Sequence, residues 1–227
     1  ALLGSFSQIL FTFVFLYSFK FSNFIIGTTL SKTEVIQIAF LELVILHDSL
    51  SAAVVAGIVM STIGVIIFSV KDFKFFLNNL LSKSTFLGLF CGTLLALSIV
   101  CFRGAALSLH NLNSNFEMAL TTLFVSTLVQ TVLVTTYLLI KEREQFKIIL
   151  DNKWVSLSAG FSGFTATFLW FYAFSLTQAS TVRALGQIEL FFSYLSSRYY
   201  FKEKIKITEM VGILIFVSGV VVILIAK

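Results

Sequence analysis

The sequence predicts an all-α polytopic membrane protein, and three observations support this fold class. First, 58% of the 227 residues are hydrophobic and only 12% are charged, with a mean hydropathy of +0.98. Soluble domains carry about 25% charged residues, so this chain cannot cover a surface that faces water. Second, the hydrophobic residues form long stretches without two-residue alternation, which argues against transmembrane strands. Third, the sequence matches itself at an offset of 155 residues.

A membrane helix needs about 20 mostly apolar residues, and eight stretches of the chain meet that requirement. In chain order they are residues 2–19, 24–46, 52–70, 84–107, 117–140, 154–174, 179–201 and 208–226. Each stretch ends where polar residues begin, and these connections are residues 20–23, 47–51, 71–83, 110–115, 141–153, 178 and 202–206. The long connection 71–83 is the expected boundary between two halves.

Lys and Arg residues of the connections fall into every second connection. These residues are Lys20, Lys71, Lys74, Lys83, Lys141, Arg143, Lys147, Lys153, Arg198, Lys202, Lys204 and Lys206. The other connections contain none, and that side has only Lys227 at the end of the chain. The positive-inside rule places the Lys-rich loops in the cytoplasm, which predicts a multi-pass protein of a bacterial cytoplasmic (inner) membrane. These loops explain the net charge of +5, so no nucleic-acid partner is predicted.

An internal repeat relates two parts of the chain. At the offset of 155 residues the matched positions include Glu34 with Glu189, Tyr17 with Tyr172, Asp48 with Glu203, Gly57 with Gly212 and Gly64 with Gly219. Five predicted spans, an odd number, separate a residue from its partner, so we expect the two copies to be inverted in the membrane. The charges agree, because connection 47–51 has no Lys or Arg and its partner 202–206 has three Lys.

The repeat divides the chain into three parts. Residues 1–72 are the remainder of the first copy with three spans, residues 73–83 form the loop between the copies, and residues 84–227 form the second copy with five spans. The first two spans of the second copy, residues 84 to about 153, have no counterpart in the first copy, so eight spans are present of an expected ten. The chain is therefore either a fragment of a ten-span protein, which we favour, or an eight-span descendant.

Glu34 and Glu189 are the main candidates for function. Each lies near the middle of an apolar stretch, and an ionisable group in hydrocarbon is costly and predicts a functional site. Their equivalent places in an inverted repeat predict a transport site at the repeat interface, where they would bind a cation, a substrate amine or a proton. The alternative is a pair of structural glutamates bonded to neighbouring Ser, Thr, Gln or Lys residues.

Arg103, Glu117 and Arg183 form a second candidate set. Arg103 lies near the end of the fourth stretch and Glu117 begins the fifth, so the two flank one short loop and are expected to form an ion pair. That pair is a candidate gate, or it holds a helical hairpin together at the membrane interface. Arg183 lies six residues before Glu189 and is expected on the same helix, where it would bind an anionic substrate group.

Four further residues are candidates for contact with a substrate or for proton coupling. Lys32 lies two residues before Glu34, so the two do not share a face of a continuous helix. Gln187 has the same place before Glu189. Tyr17 and Tyr172 are repeat partners that would offer hydroxyls or aromatic faces, although packing in the core is the more frequent role of such residues.

Small residues four apart predict close contacts between helices. Gly88 with Gly92, Ala53 with Gly57, and Ala159 with Gly163 have this spacing. It allows two helices to approach and to gain van der Waals contact. Because the pattern is common in membrane helices, it predicts packing and no particular activity.

Motifs of common enzymes are absent from the sequence. It contains no HExxH, GxSxG or P-loop pattern, so we expect no enzymatic activity and no cofactor. Cys91 and Cys101 do not have the spacing of metal ligands and are expected as small buried side chains, so no metal site is predicted. Without an ATP-binding loop, any transport would depend on a gradient or an exchange.

The end of each repeat copy carries a recognisable pattern. The second copy has Lys202-Glu203-Lys204, then Glu209-Met210-Val211-Gly212 and Ser218-Gly219-Val220; the first has Asp48-Ser49-Leu50-Ser51, Gly57 and Gly64-Val65. With the duplicated five-span unit, nearly the whole chain resembles the EamA type of the drug/metabolite transporter superfamily. The present spans would be helices three to ten of that family. The resemblance implies a central cavity lined partly by helices four and nine, which contain Glu34 and Glu189.

The resemblance also implies a function. It is that of a secondary transporter, an exporter or exchanger, which moves a small polar metabolite such as an amino acid or related amine by alternating access. The expected partners are the lipid bilayer, the small-molecule substrate and protons, with a monomer and a homodimer both left open. The alternative is a non-transporting membrane interaction protein or a degenerate transporter fragment.

Overall fold

The computed structural model describes residues 1–20, 24–70, 72–112, 114–199 and 206–226, without the side chains of residues 24, 25, 193, 194, 197 and 198. All regular secondary structure of these residues is helical. The elements are α1 (Leu2–Ser18), α2 (Phe24–Ser31), α3 (Glu34–Leu41), a π-helical turn (Glu42–Leu46), α4 (Ala52–Ser69), α5 (Phe73–Asn78), α6 (Lys83–Leu107), α7 (Asn115–Lys141), α8 (Glu144–Asp151), α9 (Lys153–Leu176), α10 (Ala179–Gly186), α11 (Glu189–Tyr199) and α12 (Ile207–Ile225). Parts of the predicted charge pattern lie outside the described residues: Lys71, Lys202, Glu203, Lys204, Lys227 and the side chain of Arg198.

Four of the described helices, α4, α6, α7 and α12, are long and apolar enough to cross a membrane, and α1 is a shorter apolar helix. Helix α9 coincides with the predicted stretch 154–174 within two residues at either end. The stretches 24–46 and 179–201 are each divided into shorter helical segments. The helical class is therefore confirmed, and the number of eight spans stays a prediction.

Polar residues of the connections set where the long helices begin. Ser51 Oγ accepts a hydrogen bond from Val54 N at 3.3 Å, and Ser82 Oγ accepts one from Thr85 N at 3.3 Å. Each bond satisfies an N–H group that the first turn of a helix leaves without an intrahelical partner. The connections seen in the sequence therefore become helix N-caps, which fix the starts of α4 and α6.

The second and seventh stretches break at equivalent positions. Helix α2 ends before Lys32 and Thr33, and α10 ends before Gln187 and Ile188, and these two breaks are again 155 residues apart. At both breaks the backbone forms a tighter turn: Thr33 N donates to Leu30 O at 3.1 Å and Ile188 N donates to Leu185 O at 3.1 Å. Such three-residue bonds replace the four-residue bonds of an α-helix. The breaks divide each stretch into two half-helices.

One cause of the first break is visible in its side chains. Thr33 Oγ1 donates to Leu30 O at 2.7 Å, and Ser31 Oγ donates to Thr28 O at 2.8 Å. Hydroxyl groups that bond back to carbonyls compete with the α-helical backbone pattern and often bend a helix. At the second break the large Trp170 ring lies against Gly186. Both breaks form without proline, because the chain has none.

Helices α4 and α12 form the most extensive helix contact of the described residues, and glycines make it possible. A Cβ atom at Gly57 would lie 2.9 Å from Gly219 O, and one at Gly64 would lie 2.7 Å from Gly212 O. The two helices run antiparallel, because the residue numbers of the contacting partners rise along one helix and fall along the other. Gly57 is the repeat partner of Gly212, and Gly64 is that of Gly219, so the contact of Gly57 with Gly219 is equivalent to the contact of Gly212 with Gly64.

Helix α6 lies at the centre of the packing, in contact with α1, α2, α3, α7 and α9. Its residues Ala96, Val100 and Phe102 belong to the main buried apolar cluster. Gly88 allows α2 to approach, since a Cβ atom there would lie 2.7 Å from Gly27 Cα. The close contact predicted at Gly88 is thus present, and α6 places Arg103 against the segment that follows α3 and the segment that joins α9 to α10.

Candidate functional site

The two helix breaks are in direct contact. Gln187 Nε2 donates a hydrogen bond to the carbonyl oxygen of Lys32 at 3.2 Å. This carbonyl is free to accept because Ile36 N, its partner in a continuous helix, donates to Thr33 O instead. Lys32 and Gln187 are repeat partners, so the contact joins equivalent residues of the two copies.

Two ion pairs cross between the repeat copies at this point. Arg183 Nη2 is bound to Glu34 Oε1, and Lys32 Nζ lies 3.2 Å from Glu189 Oε1. Each acid is the first residue of its second half-helix, α3 or α11, where the helix dipole favours negative charge. We call these contacts the crossed ion pairs. They bring together Glu34, Glu189, Arg183, Lys32 and Gln187, all predicted from the sequence.

The crossed ion pairs differ in exposure. The Glu34 side chain is 4% exposed and its partner Arg183 is 18% exposed. The Glu189 side chain is 58% exposed and Lys32 is 27% exposed. The first pair is therefore occluded by protein and the second is accessible, although the acids are equivalent in sequence.

Arg183 is held in place by an aromatic ring. Its guanidinium lies over the Trp170 ring of α9, 4.8 Å from the ring centroid, which is the geometry of a cation–π interaction. The prediction that Arg183 and Glu189 share one helix is corrected, because α10 ends at Gly186 and Glu189 begins α11. The break turns Arg183 toward Glu34 of the other copy.

The site retains polar atoms with unused hydrogen-bonding capacity. Arg183 Nε, Gln187 Oε1 and Gln37 Oε1 are buried and have no hydrogen-bond partner among the described residues. Gln37 Nε2 donates to Thr33 Oγ1 at 3.3 Å, so Gln37 belongs to the same polar region. Buried polar atoms are nearly always satisfied, which suggests that these atoms bind water or a ligand.

A second buried cluster lies beyond the crossed ion pairs and was not predicted. Glu42, fully buried at 0% exposure, accepts hydrogen bonds from Ala179 N at 2.6 Å, Ser180 N at 3.0 Å and Ser180 Oγ at 2.6 Å. Its carboxylate thus caps the N-terminus of α10. Arg103 Nε lies 3.1 Å from Glu42 Oε1, an ion pair without hydrogen-bond geometry.

Arg103 binds more than one segment. Its Nη2 atom is bound to Asp48 Oδ2, and its Nη1 atom donates to Phe174 O at 2.6 Å and to Thr177 O. The predicted ion pair of Arg103 with Glu117 is therefore corrected, because Glu42 and Asp48 are the acids that pair with Arg103. Proximity along the chain suggested the wrong partner, since buried Arg103 faces α9 and α10 rather than the loop. We call Glu42, Asp48 and Arg103 the Arg103 cluster.

The backbone between Glu42 and Asp48 is unusual. Residues Glu42–Leu46 form the π-helical turn, and His47 has a left-handed conformation with φ of 55°. Asp48 N donates to Glu42 O at 3.2 Å, which closes this segment. Left-handed non-glycine residues and single π-helical turns often accompany functional sites. Here the turn directs both acids to the same guanidinium.

Tyr17 and Tyr172 lie in other surroundings. Tyr172 stacks on Phe168, with ring centroids 6.2 Å apart, and Phe116 is edge-on to it. Lys20 Nζ lies 5.4 Å from the Tyr17 ring centroid. Tyr17 is 51% exposed, and a role of either tyrosine in substrate contact stays a prediction. Glu117 lies in the first turn of α7, and its N–H is capped by Ser114 Oγ at 3.2 Å.

Three connections that lack Lys and Arg meet near the Arg103 cluster. Gln178 Nε2 donates to Ser49 O at 3.3 Å, and Ser175 Oγ donates to Asn115 O at 3.3 Å. The first contact joins connections 47–51 and 178, and the second joins connection 110–115 to the last turn of α9, just before residue 178, so all three lie at one end of the helices. We call it the Lys-poor end.

Comparison with known families gives one match. The model of the EamA-like transporter family matches residues 82–225, more than half of the chain and the part that extends from α6 through α12. No curated protein matches the chain.

Proposed function

The chain belongs to the EamA-like transporter family, as its sequence resemblance predicted, and on this premise we propose that it is a secondary transporter of a small polar metabolite. Membership makes it a multi-pass membrane transporter of the drug/metabolite type. The finer proposal is an exporter or exchanger of an amino acid or related amine that works by alternating access. The observation that carries it is the pair of helix breaks, where two equivalent acids are held by cations of the opposite copy.

The reciprocal contacts support an inverted repeat. In α4 and α12 the contact of Gly57 with Gly219 is repeated by the contact of Gly212 with Gly64, and the breaks contact each other through Lys32 and its partner Gln187. Contacts are repeated between equivalent positions in this way when a two-fold axis relates two parts of a structure. An axis that reverses the helix direction is the relation expected for inverted copies. Transporters with inverted repeats bind substrate where such copies meet, at discontinuous helices.

The chemistry of the breaks supports a polar cargo. An ammonium group of the cargo would replace Lys32 at Glu189, and a cargo carboxylate would bind the released ammonium of Lys32. The unsatisfied atoms Gln187 Oε1 and Arg183 Nε would accept and donate further hydrogen bonds. Exposed ion pairs are weak, so the pair between Lys32 and Glu189 is open to competition by a charged ligand.

The contacts at the Lys-poor end support the predicted topology. Connections 47–51, 110–115 and 178 are near one another there, as expected if the intervening stretches cross the membrane. We propose that the Lys-rich loops are cytoplasmic and that the membrane is a bacterial inner membrane.

Transport by the purified protein in proteoliposomes tests the proposal. Zwitterionic amino acids and monoamines are the probes, in uptake and in efflux. Glu34→Gln and Glu189→Gln are each expected to lower transport at least about tenfold. Each variant removes a charge that would bind the cargo or a proton, and a loss of about 1.4 kcal/mol of binding free energy lowers the affinity tenfold. Glu144→Gln is the matched control, since Glu144 is an exposed acid in the first turn of α8. Normal transport in both site variants would exclude these acids from the mechanism.

A double variant separates cargo binding from a purely structural ion pair. If Glu34 only neutralises Arg183, then removing both charges in Glu34→Gln/Arg183→Gln restores transport that either single variant loses. If either residue contacts the cargo, the double variant remains inactive. A folded protein that transports none of the probes would instead favour a non-transporting membrane interaction protein.

A further inference from the structure

The Arg103 cluster joins segments of both repeat copies at the Lys-poor end. Glu42 and Asp48 follow α3, and Arg103 comes from α6. Arg103 also binds the carbonyl oxygens of Phe174 and Thr177, where α9 passes into α10. Glu42 binds the first N–H groups of α10. A movement that separates α3 from α10 at this end would have to break the bonds of Glu42 to α10 and release Arg103 either from the two acids or from the two carbonyl oxygens.

The cluster and the crossed ion pairs lie along the same two helices. Glu42 is eight residues after Glu34, about 12 Å at the rise of an α-helix. Ser180 is three residues before Arg183, about 4.5 Å along α10. Glu34 is bound to Arg183 and Glu42 is bound to Ser180, so the two helices are held together at both ends.

We propose that the Arg103 cluster is a latch that closes the Lys-poor end of the transport site and must open in each transport cycle. This inference rests on the proposed function. The charges suit a latch because they are stable only while they are paired or after each becomes hydrated. Arg103 is 7% exposed and Asp48 is 32% exposed, so water can reach the cluster first at Asp48.

A labelling experiment tests the latch without reference to transport. Ser180→Cys, in a Cys91→Ala/Cys101→Ala background, places one thiol beside Glu42, where residue 180 is fully buried. A membrane-impermeant maleimide is applied to the protein in sealed membranes with the Lys-poor end exposed. Adding Asp48→Asn removes one acid that holds Arg103 and is expected to increase the labelling rate on the order of tenfold, because coupling free energies between sites typically change an equilibrium by about 5–150-fold. An unchanged rate would overturn the proposal.

A cross-linking experiment tests whether the latch opens during transport. Ser49→Cys and Gln178→Cys, introduced together in the same background, replace residues whose hydrogen bond spans this end. A short, reducible bifunctional thiol reagent is expected to stop transport, and reduction is expected to restore it. Each single-cysteine variant is the control for modification alone. Undiminished transport by fully cross-linked protein would overturn the latch.

The two experiments distinguish the failure of either idea. If the unsubstituted protein transports no probe while Asp48→Asn still increases labelling, the Arg103 cluster does close the Lys-poor end, but the proposed function fails and with it the role of the latch in transport. If the unsubstituted protein transports its cargo and neither cross-linking nor Asp48→Asn has an effect, the latch fails and the function stands.

Discussion

Replacing Gly64 with Ala is expected to weaken the contact between α4 and α12 and to lower the free energy of unfolding. A Cβ atom at Gly64 would lie 2.7 Å from Gly212 O and 2.7 Å from Phe216 Cα. Normal contact distances are about 3.5–4.0 Å, so the methyl group would be about 1 Å too close to either atom. Both neighbours are backbone atoms, so the helices themselves must separate.

The size of the effect follows from two opposing terms. Overpacking of a close contact costs about 1–3 kcal/mol, whereas Ala in place of Gly favours a helix by up to about 1 kcal/mol. At Gly160 only the second term applies, because nothing lies within 4 Å of a Cβ atom there. Gly64→Ala is therefore expected to be less stable than Gly160→Ala by about 1–3 kcal/mol.

Titration with sodium dodecyl sulfate in mixed micelles, followed by circular dichroism, measures this difference. Gly160→Ala is a matched control, since it makes the same chemical change in a helix of similar length. If Gly64→Ala and Gly160→Ala unfold at the same detergent fraction, the close contact between α4 and α12 is not as the structure has it.

A double variant makes the reasoning stricter. The methyl groups of Gly64→Ala and Gly212→Ala meet at one crossing, so the helix separation that the first forces reduces the cost of the second. We expect their effects to deviate from additivity by at least about 0.5 kcal/mol. Gly64→Ala with Gly4→Ala is the reference, because Gly4 contacts Phe102 of α6 instead, and these effects should add. Additivity in both pairs would refute a shared contact.

Three more predictions use the same titration. Glu42→Ala is expected to cost about 3–5 kcal/mol, because it removes half of a buried ion pair and leaves the first N–H groups of α10 unsatisfied; a loss no larger than that of Glu144→Ala would contradict this. His47→Gly is expected to be neutral or stabilising by up to about 1 kcal/mol, whereas His47→Val is expected to be destabilising by about 1–2 kcal/mol, because a β-branched residue is strained at a φ of 55°. Equal stability of the two variants would exclude backbone strain at residue 47. Lys32→Gln is expected to change stability by less than about 1 kcal/mol, because its ion pair is partly exposed, and a loss above about 2 kcal/mol would count against that description.

Residues whose signal is local were predictable from the sequence. Glu34 and Glu189 are conspicuous because a charge in an apolar stretch is rare, and their offset of 155 residues relates them to each other. The structure places both at one site with Arg183, Lys32 and Gln187. The family was predictable in the same way, from the spacing of acids and glycines that follow each of these stretches.

The helix breaks were not predicted, because the local hydroxyl groups of Ser31 and Thr33 can bend a helix without ending it. The chain has no proline, and a continuous apolar stretch indicates a continuous helix. Tertiary contacts accompany both breaks: Gln187 bonds to the carbonyl of Lys32, and Trp170 lies against Gly186. A sequence pattern cannot show which carbonyl will receive a partner from 155 residues away.

Glu42 illustrates a different omission. It lies in the same apolar stretch as Glu34, four residues from the end of that stretch, and the same argument about buried charge applies to it. Its repeat partner is Ser197, so comparison of the two copies did not select it. Its ligands are backbone N–H groups 137 and 138 residues later in the chain. Treating every acid in an apolar stretch as a candidate would have identified it.

Glu34 and Glu189 have the same place in the repeat and opposite exposure, and this difference has a consequence for transport. We infer that the difference reflects the conformation of each copy as well as the different partners, Arg183 for Glu34 and Lys32 for Glu189. If the copies exchange conformations, as inverted repeats allow, Glu34 becomes accessible and Glu189 becomes occluded. A hydrophilic carbodiimide modifies accessible acids, and mass spectrometry of the peptides identifies them. In the Ser49→Cys/Gln178→Cys protein with its two thiols cross-linked, we expect modification of Glu189 and not of Glu34. During active exchange of cargo, without the cross-link, we expect both acids to be modified. Modification of Glu34 in the cross-linked protein would show that its occlusion does not depend on closure of the Lys-poor end.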